Sequence, residues 1–360
     1  MGEIDCRYGF PILPVGDDPC GSDRLLYYII QYRTDILITM ADLWPHEFDY
    51  IKDVVKKTGV YWINHCTVYS TPLSPFVAKS LNSSDLIIAP SKFCYDVIKS
   101  GRYDNVKYIP HGVDIEVFKP MPEQKKDKFV FLIVARNTPL QKDYPTLFHA
   151  YKLFLKMANV KCNKCGYEFE SNDLEFKCLK CNSDDINITY PRQENTLLRC
   201  HTNPHENVGF NLELMAKRFG ILKNVRFTEG HNANFTLPPG EMAKIYNYAD
   251  VLCVLSTGES FCLPLIEAMA CGKPVIAMNF SAPVEHIKNS GAGLLSDIKG
   301  MFTTKLISDL CINDELSFAK CMDRLYSDEK LREEMGRRGV EYTKNFSWEI
   351  VLKEWRGLLE

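Results

Sequence analysis

Two glutamates stand eight positions apart in GESFCLPLIEAMACGKPVIAM, residues 258–278. Glu259 comes just before Ser260, Phe261 and Pro264, and Glu267 falls in an alanine-rich run. Proline suits the first turn of a helix, where no amide donor is missed, and Gly272 suits a helix end. The pattern predicts a strand ending at Ser256, a loop, and a helix starting near Pro264. The amides near Phe261, Cys262 and Leu263 then face outward at a helix N-terminus, which favours an anion such as phosphate. Glu267, about one turn into that helix, is placed to accept hydrogen bonds from a pair of vicinal hydroxyls. Glu259 is placed for other hydroxyls. Two acceptors bracketing an anion site describe a nucleotide sugar: ribose, diphosphate, hexose.

Taken alone, such a glutamate pair is most often solvated surface. It gains weight from VARNTPLQKDYP, residues 134–145, where Arg136 and Lys142 follow another strand tip. Cations there neutralise a diphosphate, and arginine does so bidentately. No D-x-D pair occurs in the chain, so fixed cations rather than a metal are expected to hold the diphosphate.

A second constellation has different chemistry. Cys162, Cys165, Cys178 and Cys181 form two C-x2-C knuckles joined by a short hairpin-like span. Four thiolates so spaced fit tetrahedral zinc. A closed four-cysteine site leaves no coordination position for substrate, so the expected metal is structural.

The elements that carry these residues are legible as alternating strands and helices. DILIT (35–39), VYWIN (60–64), DLIIA (85–89) and VKYIP (106–110) read as buried strands, with helices around 24–33, 47–57, 75–82 and 91–100. After the polar, proline-punctuated KPMPEQKKDK (119–128) the pattern restarts at FVFLIVA (129–135). Further strands are expected at 196–200, 225–228, 251–256, 274–278 and 292–296, with helices from about 314 onward. Alternation of this kind implies parallel sheets and two doubly wound α/β domains, whose ligands sit beyond the carboxyl ends of the strands.

The chain has 360 residues, 46% hydrophobic and 25% charged, which suits two folded domains of ordinary size. A net charge of −3 gives no whole-molecule basic field to draw it to nucleic acid or acidic lipid. Lys161, Lys164, Lys177 and Lys180 in the ribbon are offset by Glu168, Glu170, Asp173 and Glu175, so nucleic-acid binding is not expected there either. The opening residues, with Glu3, Asp5 and Arg7, do not form a signal peptide, and no apolar run reaches membrane-spanning length. Fourteen cysteines without a secretory signal suit reduced thiols and a metal, and a cytoplasmic location is the default. Peripheral membrane association is left open.

These residues together resemble the retaining glycosyltransferases of family 4, which have the GT-B fold. The resemblance rests on Arg136 and Lys142, Glu259 and Glu267, EAMACGKPVIA, HTNPHENVGFNLELMAKRFG (201–220), IPHGVDIEVFKP (109–120) and SDLIIAPSKFCYDVIKSG (84–101). It runs from about residue 35 to the end, interrupted by the ribbon. It implies that Arg136 and Lys142 bind the donor diphosphate, Glu267 the ribose and Glu259 the transferred sugar. Ser260, Phe261, Cys262 and Leu263 complete the donor contacts, and His65, in YWINHCT after a strand, matches the family's histidine near the reacting sugar. Two departures stand out. The family usually has glycine at the position of Cys262, where a side chain would crowd the donor's sugar or phosphate. The family also begins with a strand and a glycine-rich loop that Gly16 and Gly21 do not restore, so about the first third of an acceptor domain is expected to be missing.

The domain organisation expected is an incomplete acceptor-side domain over 1–118, a linker over 119–128 and a nucleotide-sugar domain over 129–345. The zinc ribbon is inserted at 161–186, and a C-terminal helix over 346–360 is expected to pack back on the first domain. The expected activity is metal-independent transfer of a hexose, with retention, from a UDP-, GDP- or ADP-sugar to a hydroxyl of a glycan, lipid or protein. The rivals are a catalytically silent scaffold that binds a partner through its ribbon, and a nucleotide-sugar epimerase.

Overall fold

Short uncharged runs such as LIIA, VLCV and VIAM become strands, and the amphipathic stretches between them become helices. The structure, a computed structural model, describes residues 10–14, 16–18, 21–41, 45–122, 125–171, 177–228 and 237–360. Much of the opening segment, residues 42–44, residues 123–124 of the linker, residues 172–176 between the two cysteine knuckles and residues 229–236 lie outside the described residues. The chain forms two units, one of residues 1–110 with 303–309, the other of 111–302 with 310–360.

In the first unit β1 (Ile36–Ala41), β2 (Tyr61–Cys66), β3 (Leu86–Ala89) and β4 (Val106–Tyr108) form a parallel sheet in that order. Helices α1 (Ser22–Tyr32), α2 (Pro45–Thr58), α3 (Pro75–Leu81) and α4 (Lys92–Ser100) alternate with them. Trp62, fully buried, centres the core with Ile87, Ala89, Cys94 and Ile98. Its indole N–H donates to Thr39 Oγ1 at 2.9 Å, which satisfies the one polar atom it buries. Strand β2 runs two residues further than the sequence pattern suggested. His65 therefore lies within the strand, buried, and does not follow it.

The second unit holds a six-stranded parallel sheet built from β5 (Phe129–Val134), β9 (Thr196–His201), β10 (Val225–Phe227), β11 (Val251–Val254), β12 (Val275–Met278) and β13 (Gly293–Ser296). The order is β10-β9-β5-β11-β12-β13. This reversal of order beside β5 is a switch point, and the tips of β5 and β11 are neighbours there. Its helices are α5 (Tyr144–Leu155), α6 (Pro191–Asn195), α7 (Leu212–Phe219), α8 (Pro239–Tyr248), α9 (Leu263–Ala270) and α10 (Ala282–Ser290). The chain ends in α11 (Glu315–Ser327), α12 (Glu329–Thr343) and α13 (Trp348–Leu359). Phe131, Phe148 and Phe154 are fully buried against Tyr151, Leu198 and Phe318, and each such side chain contributes about 2–3 kcal/mol of burial free energy.

Between α5 and α6 the ribbon forms a three-stranded antiparallel sheet of β6 (Ala158–Cys162), β7 (Glu168–Ser171) and β8 (Ile186–Thr189), in the order β7-β6-β8. Arg192, 1% exposed, ties it down: its guanidinium bonds Asp323 of α11 at 2.6 and 2.8 Å, Glu170 of β7 at 3.0 Å and the carbonyl of Met157 at 3.2 Å.

A hairpin of β14 (Ile298–Thr303) and β15 (Asp309–Asn313) was not foreseen from the sequence. Its connecting residues belong to the first unit. There Thr71 and Asp309 exchange backbone hydrogen bonds at 3.2 and 2.8 Å, and Ser74 Oγ donates to the carbonyl of Leu306 at 2.6 Å. No described helix is long and apolar enough to cross a membrane.

Candidate donor site

The loop after β5 carries Arg136, Asn137 and Lys142, and the loop after β11 carries Ser256 and Glu259. The sheet order alone brings these loops together, and hydrogen bonds lock them. Thr257 donates to the carbonyls of Gln141 (N–H, 2.9 Å) and Leu140 (Oγ1, 2.8 Å), and Asp143 N–H donates to the carbonyl of Leu255 at 3.0 Å. The unforeseen strand β15 buttresses both loops. Asn313 Nδ2 donates to Asp143 Oδ2 and to the carbonyl of Ser256, each at 3.0 Å. Asp143 itself caps α5 by accepting from the N–H of Thr146.

Lys142 and Glu259, 117 residues apart, form an ion pair. Both are mostly buried, and Ser256 Oγ also donates to the same carboxylate oxygen at 2.6 Å. Arg136 lies further out. Its guanidinium is 63% exposed and donates at 3.0 Å to Glu206, whose carboxylate side chain is only 8% exposed. The Glu206 loop is held from beneath by fully buried Asn137, which donates to the carbonyl of Phe210 at 2.7 Å and accepts from its N–H at 3.0 Å. Gly209 is required here: a Cβ would come within 2.4 Å of the Asn137 carbonyl oxygen.

Helix α9 starts at Leu263 with Pro264 in its first turn. Among the described residues, the N–H groups of Phe261, Cys262 and Leu263 meet no acceptor, which leaves them available to an anion. Cys262 has φ 75°, the left-handed conformation that glycine adopts without strain. That accounts physically for the glycine usual at this position. Burial, and next the charge of Glu259, push the Cys262 thiol far above its ordinary pKa, so it stays neutral beside an anion. Phe261 is wedged edge-on between His111 and His286, with centroids at 5.0 and 4.9 Å. Complete burial pushes His286 down to about 3, against a smaller upward push from the Phe261 backbone. It packs as a neutral ring, with Nδ1 3.1 Å from the Tyr342 hydroxyl.

Glu267 lies one turn into α9 and accepts at 2.6 Å from the hydroxyl of Tyr246, a fully buried residue of α8. Burial raises the Glu267 pKa, and the Tyr246 hydrogen bond partly offsets this. The structure thus gathers Arg136, Lys142, Glu259, the 260–263 turn and Glu267 in the second unit, whereas His65 belongs to the first. Sequence reasoning missed Tyr246, Ser256, Glu206, Asn137 and Asn313. Only Asn137 carried a local signal, as a turn-forming residue beside Arg136 at a strand tip.

The four ribbon cysteines also converge. Their sulfur atoms all lie within 4.8 Å of one another, with Cys162–Cys181 at 3.6 Å and Cys165–Cys178 at 3.4 Å. Zinc–sulfur bonds of about 2.3 Å in a tetrahedron put sulfurs about 3.8 Å apart, so this donor set fits the ion.

Residues 206–342 match the family model described as Glycosyl transferases group 1. Among curated proteins, the D-inositol 3-phosphate glycosyltransferase of Corynebacterium jeikeium is 30% identical over 149 residues, which is 41% of this chain and 31% of that protein. Its counterpart in Paenarthrobacter aurescens is 25% identical over 265 residues, covering 70% of this chain and 52% of the relative. The chain therefore spans only about a third to a half of these relatives. Among solved structures, sucrose-phosphate synthase from Thermosynechococcus elongatus superposes with a TM-score of 0.68 at 18% identity, covering 94% of this chain and 77% of that one. Anabaena Alr3699/HepE in complex with UDP-glucose gives 0.68 at 16% identity, covering 97% and 85%. The chain thus has the α/β GT-B fold of glycosyltransferases, and its residues 206–342 carry the glycosyl transferases group 1 signature.

Proposed function

We propose that this chain is a retaining glycosyltransferase that moves a hexose from a nucleoside diphosphate sugar to a hydroxyl acceptor, without a metal in the chemical step. The observation that carries the reading is the Lys142–Glu259 pair at the switch point, beside the unpartnered amides of α9. In this reading the diphosphate draws on Lys142, Arg136 and those amides, and Glu259 turns to the sugar hydroxyls. Glu267, oriented by Tyr246, accepts from the ribose. The bond from the anomeric carbon to the leaving phosphate oxygen breaks as the acceptor oxygen bonds the same face. The leaving phosphate takes the acceptor's proton, and the fixed donors stabilise the departing charge. Double displacement with Glu259 as nucleophile is the competing mechanism. His65 is assigned to the reacting sugar. Residues 1–118 serve the acceptor, 129–345 the donor, with the linker 119–128 between them, and 346–360 form a C-terminal helix. Zinc held by Cys162, Cys165, Cys178 and Cys181 fixes the ribbon and supplies nothing to the reaction.

UDP-glucose is the first donor to test, because a protein of the same fold was captured with it; GDP- and ADP-sugars follow. Calorimetry with UDP, GDP and ADP, paired with turnover of the best donor, tests the reading. Arg136→Ala and Lys142→Ala should each weaken the preferred nucleotide by about 1.5–3 kcal/mol, the range for a charge-assisted hydrogen bond. Unchanged affinity in both variants would remove the diphosphate assignment, and absence of binding by any of the three nucleotides would remove the function.

A further inference from the structure

Ser281, at the start of α10, breaks two local rules at once. Its φ of 58° and ψ of −152° fall in a region that is essentially reserved for glycine. It also occupies the N-cap position, where a serine hydroxyl ordinarily accepts from the first amides of its own helix. Here it caps none of them. Its hydroxyl oxygen is turned away and accepts instead from the N–H of Glu259, at 2.9 Å and 22 residues earlier in the chain. The next residue, Ala282, donates its N–H to the carbonyl of Glu259 at 3.3 Å. Both backbone groups of Glu259 are therefore clasped by residues 281 and 282, and Ser281 is 5% exposed.

We infer that Ser281 is a positioning residue that fixes the Glu259 carboxylate for the transferred sugar. The inference rests on the reading of Glu259 given above. A strained backbone and a diverted cap at one residue mark a position where local stability yields to a site. Without the clasp, Glu259 would be held through its side chain alone, by Ser256 and Lys142, and Lys142 is the group that the diphosphate claims. The clasp keeps the carboxylate in place after Lys142 turns away. Nucleotide affinity does not depend on it, because Arg136 and Glu267 lie on other segments and the α9 amides, although they follow Glu259 in the same loop, are held by their own helix start, where Leu265 N–H donates to the Cys262 carbonyl at 3.0 Å.

Two variants test this. Ser281→Gly adopts the same backbone freely and removes the hydroxyl, so it should fold with an unchanged or higher melting temperature. Ser281→Ala removes the hydroxyl and retains the strain. Both should speed hydrogen exchange at the Glu259 amide about tenfold, the equivalent of one lost hydrogen bond. Turnover of UDP-glucose should fall about tenfold or more, with calorimetric UDP affinity within about twofold of wild type. Wild-type exchange at Glu259 in the glycine variant overturns the inference, as does wild-type turnover, or a loss of turnover that merely follows a lower melting temperature. If the wild-type chain binds UDP but turns over no donor, the functional reading fails. The exchange rates then still decide whether Ser281 holds Glu259.

Discussion

At the scale of single residues, the two glutamates have different surroundings and should fail in different ways. Glu267 is half-buried and accepts from the Tyr246 hydroxyl, and partial burial raises its pKa. Glu259 is tied to Lys142 and Ser256. Glu267→Gln should weaken UDP itself by about 1.5–3 kcal/mol, since ribose is present with or without sugar. Glu259→Gln should leave UDP affinity unchanged or slightly tighter, because Lys142 loses a competitor for the diphosphate. Its cost should appear in turnover, about a hundredfold for one preorganised contact to the transition state. Calorimetry with UDP alone, set beside turnover on UDP-glucose, separates the two; equal effects on bare UDP would defeat the assignment. The raised pKa adds a sign. A carboxyl whose folded pKa lies above its unfolded value binds its proton more tightly when folded. Its contribution to stability therefore falls as pH rises from the unfolded value through the folded one. Glu267→Gln removes that loss, so melting at neutral pH should stay level or rise while UDP binding weakens. In the wild type, UDP affinity should drop on acidification at a pH above the ordinary carboxylate range, and the glutamine variant should lack that step.

At the scale of elements, the donor loops depend on two backbone positions. A methyl group at Gly209 would strike the carbonyl and side chain of Asn137, at 2.4 and 2.5 Å. Gly209→Ala should therefore push the Glu206 loop outward and weaken UDP by about tenfold through Arg136, with a cost in stability of about 1–3 kcal/mol for the overpacked contact. At Cys262, φ 75° already carries a cost of about 1–2 kcal/mol for any residue with a Cβ. Cys262→Gly should hold or raise the melting temperature, and Cys262→Val, branched at Cβ, should lower it. Valine and glycine melting alike would contradict the left-handed assignment. Much of this level was legible in the sequence, because it is local. The strands of the second sheet, the Pro264 start of α9 and the two cysteine knuckles are written in short patterns. What was not legible is pairing over distance. Nothing near Tyr246 announces that its hydroxyl faces Glu267, nothing near Ser281 announces Glu259, and Lys142 finds its carboxylate only after six strands order themselves. The β14–β15 hairpin was missed for a related reason: its strands form a small two-stranded sheet of their own and carry charged or polar residues, so they lack the long uncharged runs that mark the central strands.

At the scale of the whole molecule, the candidate donor residues and the cysteine cluster occupy one unit but rest on different supports. The donor loops hang on the tips of β5 and β11 and on β15. The ribbon branches off that unit's main sheet after α5 and rejoins it at α6, and Arg192 fastens its base to Asp323 of α11. Arg192 is almost fully buried, whereas the side chains of its partners Asp323 and Glu170 are 24% and 59% exposed, so water would take over much of the carboxylates' solvation if the cation were removed. The four cysteines do different work. They close the far end of the ribbon, where the exposed strands β7 and β8 have almost no apolar core of their own. Metal held there would substitute for a hydrophobic core, as it does in small domains that cannot build one. The protein should accordingly carry one zinc per chain. Chelation should speed hydrogen exchange across 158–171 and 177–190 while β5 and β9, buried in the main sheet, keep their protection. UDP affinity should change by less than about twofold, since no donor contact is routed through the ribbon. Loss of UDP binding on chelation would place the metal in the donor site's support. Four free thiols with no bound metal in the purified protein would remove zinc from the account.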